Sequence, residues 1–384
     1  MNIVLVAPWG LDAVGGVSIA VATLYRRFQE RDHRVRALIC GESTLVRRVG
    51  SSASEVVYGI YLRTPYVAQA RVRALIAFWL FLPLTLLQLQ WFLLRNRADV
   101  VHIQYPLPCF FYFGLLRRVS RWRLVVTYQG NDAHDLKGWS TEGQRLVKLL
   151  LGAADQITGV SKSLIEKVRQ TLGESYPKAV AVPNGAPFED IQLNVARPSV
   201  GVPPKYIVAV GHLIRRKGID TLLQALSRGL ERGYVVPLVL VGDGPERELF
   251  ENLARELGLS AHVHFVGSRP HSETIALIRA STFFVLASRE EGLPLVVAEA
   301  MACRKAVVGT AIDGVPEIVT AGETGLLVPA EDPEALCAAV LRLWDDDDLR
   351  ERLAGNAHAR SKGFSWESIA ERYLRLYAQE RRTP

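Results

Sequence analysis

An α/β fold of two doubly wound domains with parallel sheets is predicted by three observations. Short apolar, β-rich runs alternate with longer helical patterns along most of the chain, which is the signature of strand–helix–strand units. The 384 residues exceed one comfortable core and fit two domains of average size. Residues 184–205 carry Asn-Gly, four prolines and little periodicity, as a linker does.

The first series of strands is Asn2–Ala7, Arg34–Ile39, Asp99–Gln104, Leu124–Thr127, Gln156–Val160 and Ala179–Val182. The second is Tyr206–Val210, Pro237–Val241, Val263–Val266, Thr282–Leu286, Ala306–Val308 and Gly325–Val328. Domains are therefore expected at 1–190 and 200–365. The acidic run Asp345–Asp348 lies between two helical patterns and reads as a solvated cap.

A hydrophobic fraction of 49% and a charged fraction of 22% are those of a soluble globular protein. The cysteines (Cys40, Cys109, Cys303, Cys337) are scattered without a CxxC, which speaks against a disulfide framework or a zinc site and suits a reducing compartment. Met1-Asn2 runs into Ile-Val-Leu-Val with no basic stretch before it, so a strand is expected there and not a signal peptide.

Charge divides unevenly. Residues 1–185 hold 23 Lys and Arg against 12 Asp and Glu, a net +11; the remainder holds 23 against 27, a net −4. The basic half implies an anionic partner, nucleic acid or a membrane surface. Its basic residues flank apolar segments and are not interleaved with aromatics in a nucleic-acid module, which favours the membrane.

Ala74–Leu94 holds 21 residues without a charge, between Arg71 and Arg73 on one side and Arg95 and Arg97 on the other. Its length qualifies it as a membrane span. Pro83, Gln88 and Gln90 inside it weigh against a span, as do strands of one sheet on either side of it. A crossover helix buried against the sheet and a helix dipping into a membrane interface both remain open. Tyr105–Leu116, followed by Arg117-Arg118, adds a second apolar-then-basic patch.

The chemistry-bearing segment is Arg289-Glu290-Glu291-Gly292-Leu293-Pro294-Leu295-Val296-Val297-Ala298-Glu299 and the Ala-Met-Ala after it. Glu291 is expected in a turn after a strand and Glu299 about one turn into the next helix. Ligands of open α/β sheets bind at the carboxyl ends of strands, beside helix N-termini. The amides of Gly292 to Val296 would face a phosphate there, and the carboxylates would accept hydrogen bonds from sugar hydroxyls.

With its surroundings, this segment resembles glycosyltransferase family 4, a retaining family of the GT-B fold with two Rossmann-like, doubly wound domains facing a central cleft. The matching pieces are Gly15-Gly16, the Tyr206–Gly218 stretch, Val241-Gly242-Asp243-Gly244-Pro245, Phe265-Val266-Gly267, the two glutamates, Gly314 to Val319 and Gly322 to Val328. The resemblance implies that Glu299 binds the nucleotide ribose, Glu291 the donor sugar and Lys217 the donor diphosphate. Gly15 and Gly16 would form the N-domain loop over the donor, and residues 366–384 would pack back on the first domain.

Cations near a departing nucleoside diphosphate stabilise its charge, and the sequence offers no DxD-type cluster near the site, so no metal and no cofactor are expected. His212 stands where the family commonly has arginine, which leaves Arg215 or Arg216 to supply the second positive charge. In Thr127-Tyr128-Gln129-Gly130-Asn131-Asp132 the family's usual histidine is replaced by Gln129, which can hydrogen-bond but not titrate near neutral pH. His134 is either a compensating group or a structural one.

The implied reaction moves a hexosyl group from a nucleotide diphosphate sugar to an acceptor hydroxyl with retention. A lipid-linked saccharide, cell-surface polysaccharide or glycolipid assembly and the cytoplasmic face of the membrane are the expected acceptor, role and place. A soluble transferase using a small acceptor, or a non-catalytic binding subunit, are the alternatives.

Overall fold

A computed structural model describes residues 1–11, 16–51, 55–65, 72–173, 179–186, 191 and 198–379. Gly15 and Arg71 lie outside the described residues. The chain forms two compact units, one of Met1–Pro183 with Trp366–Pro384 and the other of Asn184–Ser365. The boundary falls at Asn184, and Ala186 is already tied to Ser365 by a parallel bridge.

The first unit is an eight-stranded sheet. Its strands are β1 (Asn2–Ala7), β2 (Arg34–Cys40), β3 (Arg47–Ser51), β4 (Val56–Ile60), β5 (Val100–Gln104), β6 (Arg123–Tyr128), β7 (Gln156–Gly159) and β8 (Ala179–Ala181). They lie in the order β3-β4-β2-β1-β5-β6-β7-β8, all parallel except the β3–β4 pair. β1, β5 and β6 are buried along almost their whole length because helices cover both faces of a parallel sheet. The β3–β4 hairpin was not expected from sequence: it is a short edge element, and Arg47-Arg48 give it a polar cast.

Among the described residues, six α-helices connect these strands: α1 (Gly16–Gln29), α2 (Val72–Arg95), α3 (Phe111–Arg117), α4 (Asn131–His134), α5 (Thr141–Gly152) and α6 (Lys162–Leu172). Ser140 and Ser161 cap α5 and α6 by accepting from Gly143 N (3.1 Å) and Leu164 N (3.2 Å). Gly173 ends α6 in the left-handed conformation. The terminal helix, Trp366–Ala378, packs against α1, with Phe28 and Tyr377 in edge contact at 5.7 Å.

The two readings of the segment 74–94 resolve into a mixed answer. α2 is a crossover helix, and Phe78, Leu89, Phe92 and Leu93 are buried against the unit. Its other face is uncovered, which overturns full burial. Gln88 and Gln90 point inward, accepting from Val46 N at 3.1 Å and Ser120 Oγ at 3.0 Å.

The second unit is a six-stranded parallel sheet of β9 (Ile207–Val210), β10 (Leu238–Val241), β11 (Val263–Gly267), β12 (Phe284–Leu286), β13 (Val307–Thr310) and β14 (Gly325–Val328). The order is β11-β10-β9-β12-β13-β14. Its helices are α7 (Ile219–Glu231), α8 (Arg247–Glu256), α9 (His271–Ala280), α10 (Leu295–Ala302), α11 (Val315–Ile318), α12 (Pro333–Asp345) and α13 (Asp347–Ser361). Leu222, Leu240, Phe250, Val308, Leu336 and Leu353 belong to one buried cluster between sheet and helices. Within the acidic run, Asp346 caps α13 by accepting from Leu349 N at 2.8 Å.

Strand order reverses between β1 and β5 in the first unit and between β9 and β12 in the second. Chains leaving neighbouring strands there diverge to opposite faces and open a crevice at the carboxyl ends. The described residues of both sequence-predicted site sets fall at or beside these reversals.

Candidate active site

In the second unit the site is assembled from the segments that leave the carboxyl ends of β9 and β12. After Val210 the chain turns through Gly211 and His212 into a 3₁₀ turn, Arg215–Lys217, which ends on Gly218 at φ +63°. A Cβ on Gly218 would lie 2.0 Å from the carbonyl oxygen of Ala287, just beyond β12. Only glycine permits this backbone approach, and it brings the two strand ends together. Gly242, at φ +132°, lies equally close on Gly211 O and seats the β10 turn beside them.

Arg289 stitches the two ends. Its amide donates to Arg216 O at 2.8 Å, and its guanidinium forks onto Asp220 at 2.8 and 2.9 Å. A further 2.8 Å contact reaches Glu331. These carboxylates, Asp220 first, raise its pKa above an already high value, so it is a permanent cation committed to structure.

Lys217 Nζ lies 2.6 Å from Glu291 Oε1, which also accepts from Ser288 Oγ at 2.7 Å. Ser288 is held in turn by its carbonyl, which accepts from Thr310 Oγ1 at 2.6 Å. The Glu291 amide donates to Asp313 Oδ2 at 2.9 Å. Glu291 is 8% exposed and Glu299 is 5% exposed. Glu299, in α10, meets His271 Nε2 of α9 at 2.8 Å.

Arg216 lies 3.4 Å from Glu290, while Arg215 and His212 are exposed. Gly292, Leu293 and Pro294 are buried and Leu295 opens α10. Pro294 immediately precedes the helix and has no amide hydrogen, so the N–H groups of the segment 292–296 are those of Gly292, Leu293, Leu295 and Val296. Among the described residues, no group of three or more His, Cys, Asp and Glu side chains is placed to hold a metal ion.

In the first unit, Gln129 follows β6 and is buried, donating from Nε2 to Gln104 Oε1. Asp132, fully buried, accepts from Gln129 N at 3.0 Å and Gly130 N at 2.7 Å, fixing the turn. Burial pushes the Asp132 carboxyl up to about 7 against the pull of these amides. His134 Nδ1 contacts Lys167 Nζ, so its place is a structural one. Gly16 is the first, exposed residue of α1.

Behind Gln129 runs a buried polar chain. Gln104 Nε2 lies 3.0 Å from His102 Nε2; His102 meets Thr127 Oγ1 at 2.6 Å and Tyr377 Oη of the terminal helix at 2.5 Å. Burial lowers the His102 pKa to about 3. The unfolded chain takes up a proton there near 6.5 that the folded chain refuses until about 3. The stability this neutral histidine contributes is therefore complete above pH 6.5 and is lost as pH falls toward 3. Removing His102, as in His102→Asn, should flatten the acid-side slope of unfolding free energy by up to about 1.4 kcal/mol per pH unit. Urea melts of both proteins between pH 6.5 and 4 read it, and parallel slopes would refute a neutral His102.

Sequence reasoning named Glu291, Glu299, Lys217 and Gln129 but missed the partners that orient them. Ser288, three residues before Glu291, could have been suspected. His271, 28 residues before Glu299 on another helix, and Gln104, 25 before Gln129, carry no spacing signal.

The family model Glycosyltransferase Family 4 matches residues 14–190, and the model Glycosyl transferases group 1 matches 194–360. An uncharacterized glycosyltransferase of Methanocaldococcus jannaschii is 30% identical over 281 residues, covering 73% of this chain and 75% of that one. The D-inositol 3-phosphate glycosyltransferase of Corynebacterium urealyticum is 38% identical over 191 residues, covering 47% of this chain and 45% of that one, so the match spans about half of that relative. Among solved structures, sucrose-phosphate synthase from Thermosynechococcus elongatus superposes with a TM-score of 0.76 at 24% identity over 98% of each chain. Anabaena HepE in complex with UDP and glucose gives 0.74 at 19% identity, over 99% of this chain and 100% of that one. The fold is GT-B, and the chain belongs to glycosyltransferase family 4, with a group 1 C-terminal half, and is a transferase.

Proposed function

We propose that the protein transfers a hexosyl group from a nucleotide diphosphate sugar to the hydroxyl of a lipid-linked saccharide, with retention at the anomeric carbon, in the assembly of a cell-surface polysaccharide or glycolipid. The observation that carries the donor reading is the Lys217–Glu291 pair across the β9–β12 reversal, with Glu299 buried in the adjoining helix. HepE, of the same fold, is a protein solved with UDP and glucose, which supports a donor of this class.

In this reading the bond between the anomeric carbon and the diphosphate oxygen breaks and its electron pair stays with the diphosphate. Lys217, with Arg215 and Arg216 beside it, neutralises that charge and takes the place of a metal ion. Donor entry draws Lys217 from Glu291 to the diphosphate and frees the carboxylate to accept from a sugar hydroxyl. Glu299 accepts from the ribose hydroxyls, exchanging its contact with His271. The amides of Gly292, Leu293, Leu295 and Val296 and the glycines Gly15 and Gly16 serve the phosphates, and Gln129 serves the sugar. The acceptor oxygen then bonds to the anomeric carbon, and its proton passes to solvent or to the released diphosphate.

Thermal unfolding in the presence of UDP-, GDP- and ADP-linked sugars, with EDTA present, tests this directly. One nucleotide class should stabilise the protein, by about 2.7 kcal/mol at a hundredfold excess over Kd. Glu299→Ala should lose that stabilisation. No shift with any nucleotide, in a folded sample, would overturn the donor site.

A second acceptor reading has one observation behind it. The inositol phosphate named in the corynebacterial relatives is a small, soluble acceptor. Transfer to a water-soluble acceptor by protein that stays in the soluble fraction would favour it.

A further inference from the structure

We infer that α2 is a membrane-docking helix that lies in the plane of an anionic phospholipid surface, its outward face among the acyl-chain ends and its arginines among the headgroups. The helix is inverted with respect to water. Its two glutamines point into the protein and are bonded there, while Ile76, Trp79, Leu80, Leu87, Trp91 and Leu94 face outward, each 59 to 70% exposed. With Leu84, 42% exposed, these positions recur every three or four residues, so they form one continuous strip along a helix of 24 residues, about 36 Å long. A large apolar strip rimmed by charge marks a binding surface.

Three features select the occupant. First, the rim is cationic and almost free of acids: residues 56–131 contain nine arginines, no lysine and one carboxylate, Asp99. Arg73, Arg95 and Arg97 are exposed at the two ends of the helix. Arg118 and Arg121 flank Val119, 79% exposed, in a turn that the Ser120–Gln90 hydrogen bond holds beside the helix. Each arginine near an anionic leaflet tightens binding by about fivefold.

Second, the geometry excludes a span. The strands before and after α2, β4 and β5, belong to one sheet, and the inner face of the helix packs on that unit. Both ends of α2 therefore stay on one side of the bilayer, and only the in-plane arrangement fits. Trp79 and Trp91 on the outward face, with the Arg95 guanidinium 5.0 Å over the Trp91 ring, suit the headgroup boundary. Third, a second copy is a poor occupant, because a two-fold interface would set these arginines against their own images.

This inference rests on the surface of the first unit and is independent of the donor site, whose thermal shift gives a separate readout. The test is co-sedimentation of the full chain with vesicles of equal parts phosphatidylcholine and phosphatidylglycerol, against phosphatidylcholine alone. The anionic vesicles should bind at least about tenfold more tightly. The double variant Leu80→Glu/Leu87→Glu changes only exposed side chains; it should keep the donor-induced shift and lose vesicle binding. Arg73→Glu/Arg95→Glu/Arg97→Glu should lose the preference for anionic lipid. Protein that remains in the supernatant with both vesicle types overturns the inference. So does a concentration-dependent dimer that the leucine variant abolishes, which would make the strip a self-association face.

Discussion

Replacing Lys217 with alanine is expected to lower kcat/KM by about 10²–10³-fold, or about 3–4 kcal/mol, while leaving the fold intact. The side chain is about a quarter exposed and its stem fills no core position, so little packing is lost. What goes is the cation at a strand reversal. Its present partner Glu291 would stand beside the phosphate with no charge between them, so loss of attraction is joined by new repulsion. Lys217→Met separates the two causes: it keeps the length of the chain without the charge and should be as impaired as alanine. Lys217→Arg keeps the charge on a wider group and should recover part of the loss. Steady-state transfer kinetics and donor titration read all three. Methionine within a few-fold of the wild type, with donor affinity unchanged, would remove Lys217 from the diphosphate site.

Gly218→Ala is expected to do more damage than any of these, and by a different route. The position is left-handed, which costs an L side chain about 1–2 kcal/mol. The larger penalty is contact: the new methyl would sit 2.0 Å from a backbone oxygen, with no flexible side chain to yield. The two strand ends must part, and they are the ends that carry Lys217 and Glu291. A destabilisation beyond about 4 kcal/mol and loss of transfer should appear together. Gly258→Ala is the matched control. It has φ +70° and nothing within 4 Å of its would-be Cβ, so it isolates the left-handed strain at about 1 kcal/mol. Urea denaturation of the two variants decides the matter; equal midpoints would mean that the backbone at Ala287 stands farther from Gly218 than this.

What the sequence made legible depends on what periodicity can carry. Each strand read from it is present, with ends displaced by up to two residues, because strands covered on both faces are written as uninterrupted Val, Ile and Leu. The outer strand of the hairpin, β3, escaped because an edge strand needs no such run, and β4 inside it is a run of five residues that Gly59 interrupts. α2 escaped in a different way. Its composition is apolar on all sides, so nothing local says which face the sheet takes, and Gln88 and Gln90 read as concessions to water until Val46 and Ser120 appear as their partners. At the candidate site, motif order singled out Lys217, Glu291 and Glu299. The contact between Lys217 and Glu291 joins residues 74 apart, and only the strand order makes them neighbours.

The terminal helix has a consequence for how the chain is made. Its Tyr377 is bonded to His102 in the middle of the first sheet, and its residues complete a unit whose other members left the ribosome first. Domains usually acquire their structure in the order of synthesis. Here the first unit stays without this helix until the whole second unit has been synthesised, while the second, contiguous from Asn184 to Ser365, has all its residues before that helix is made. The half that begins first is finished last, and a nascent chain stalled before Trp366 would expose the pocket that Tyr373 and Tyr377 fill.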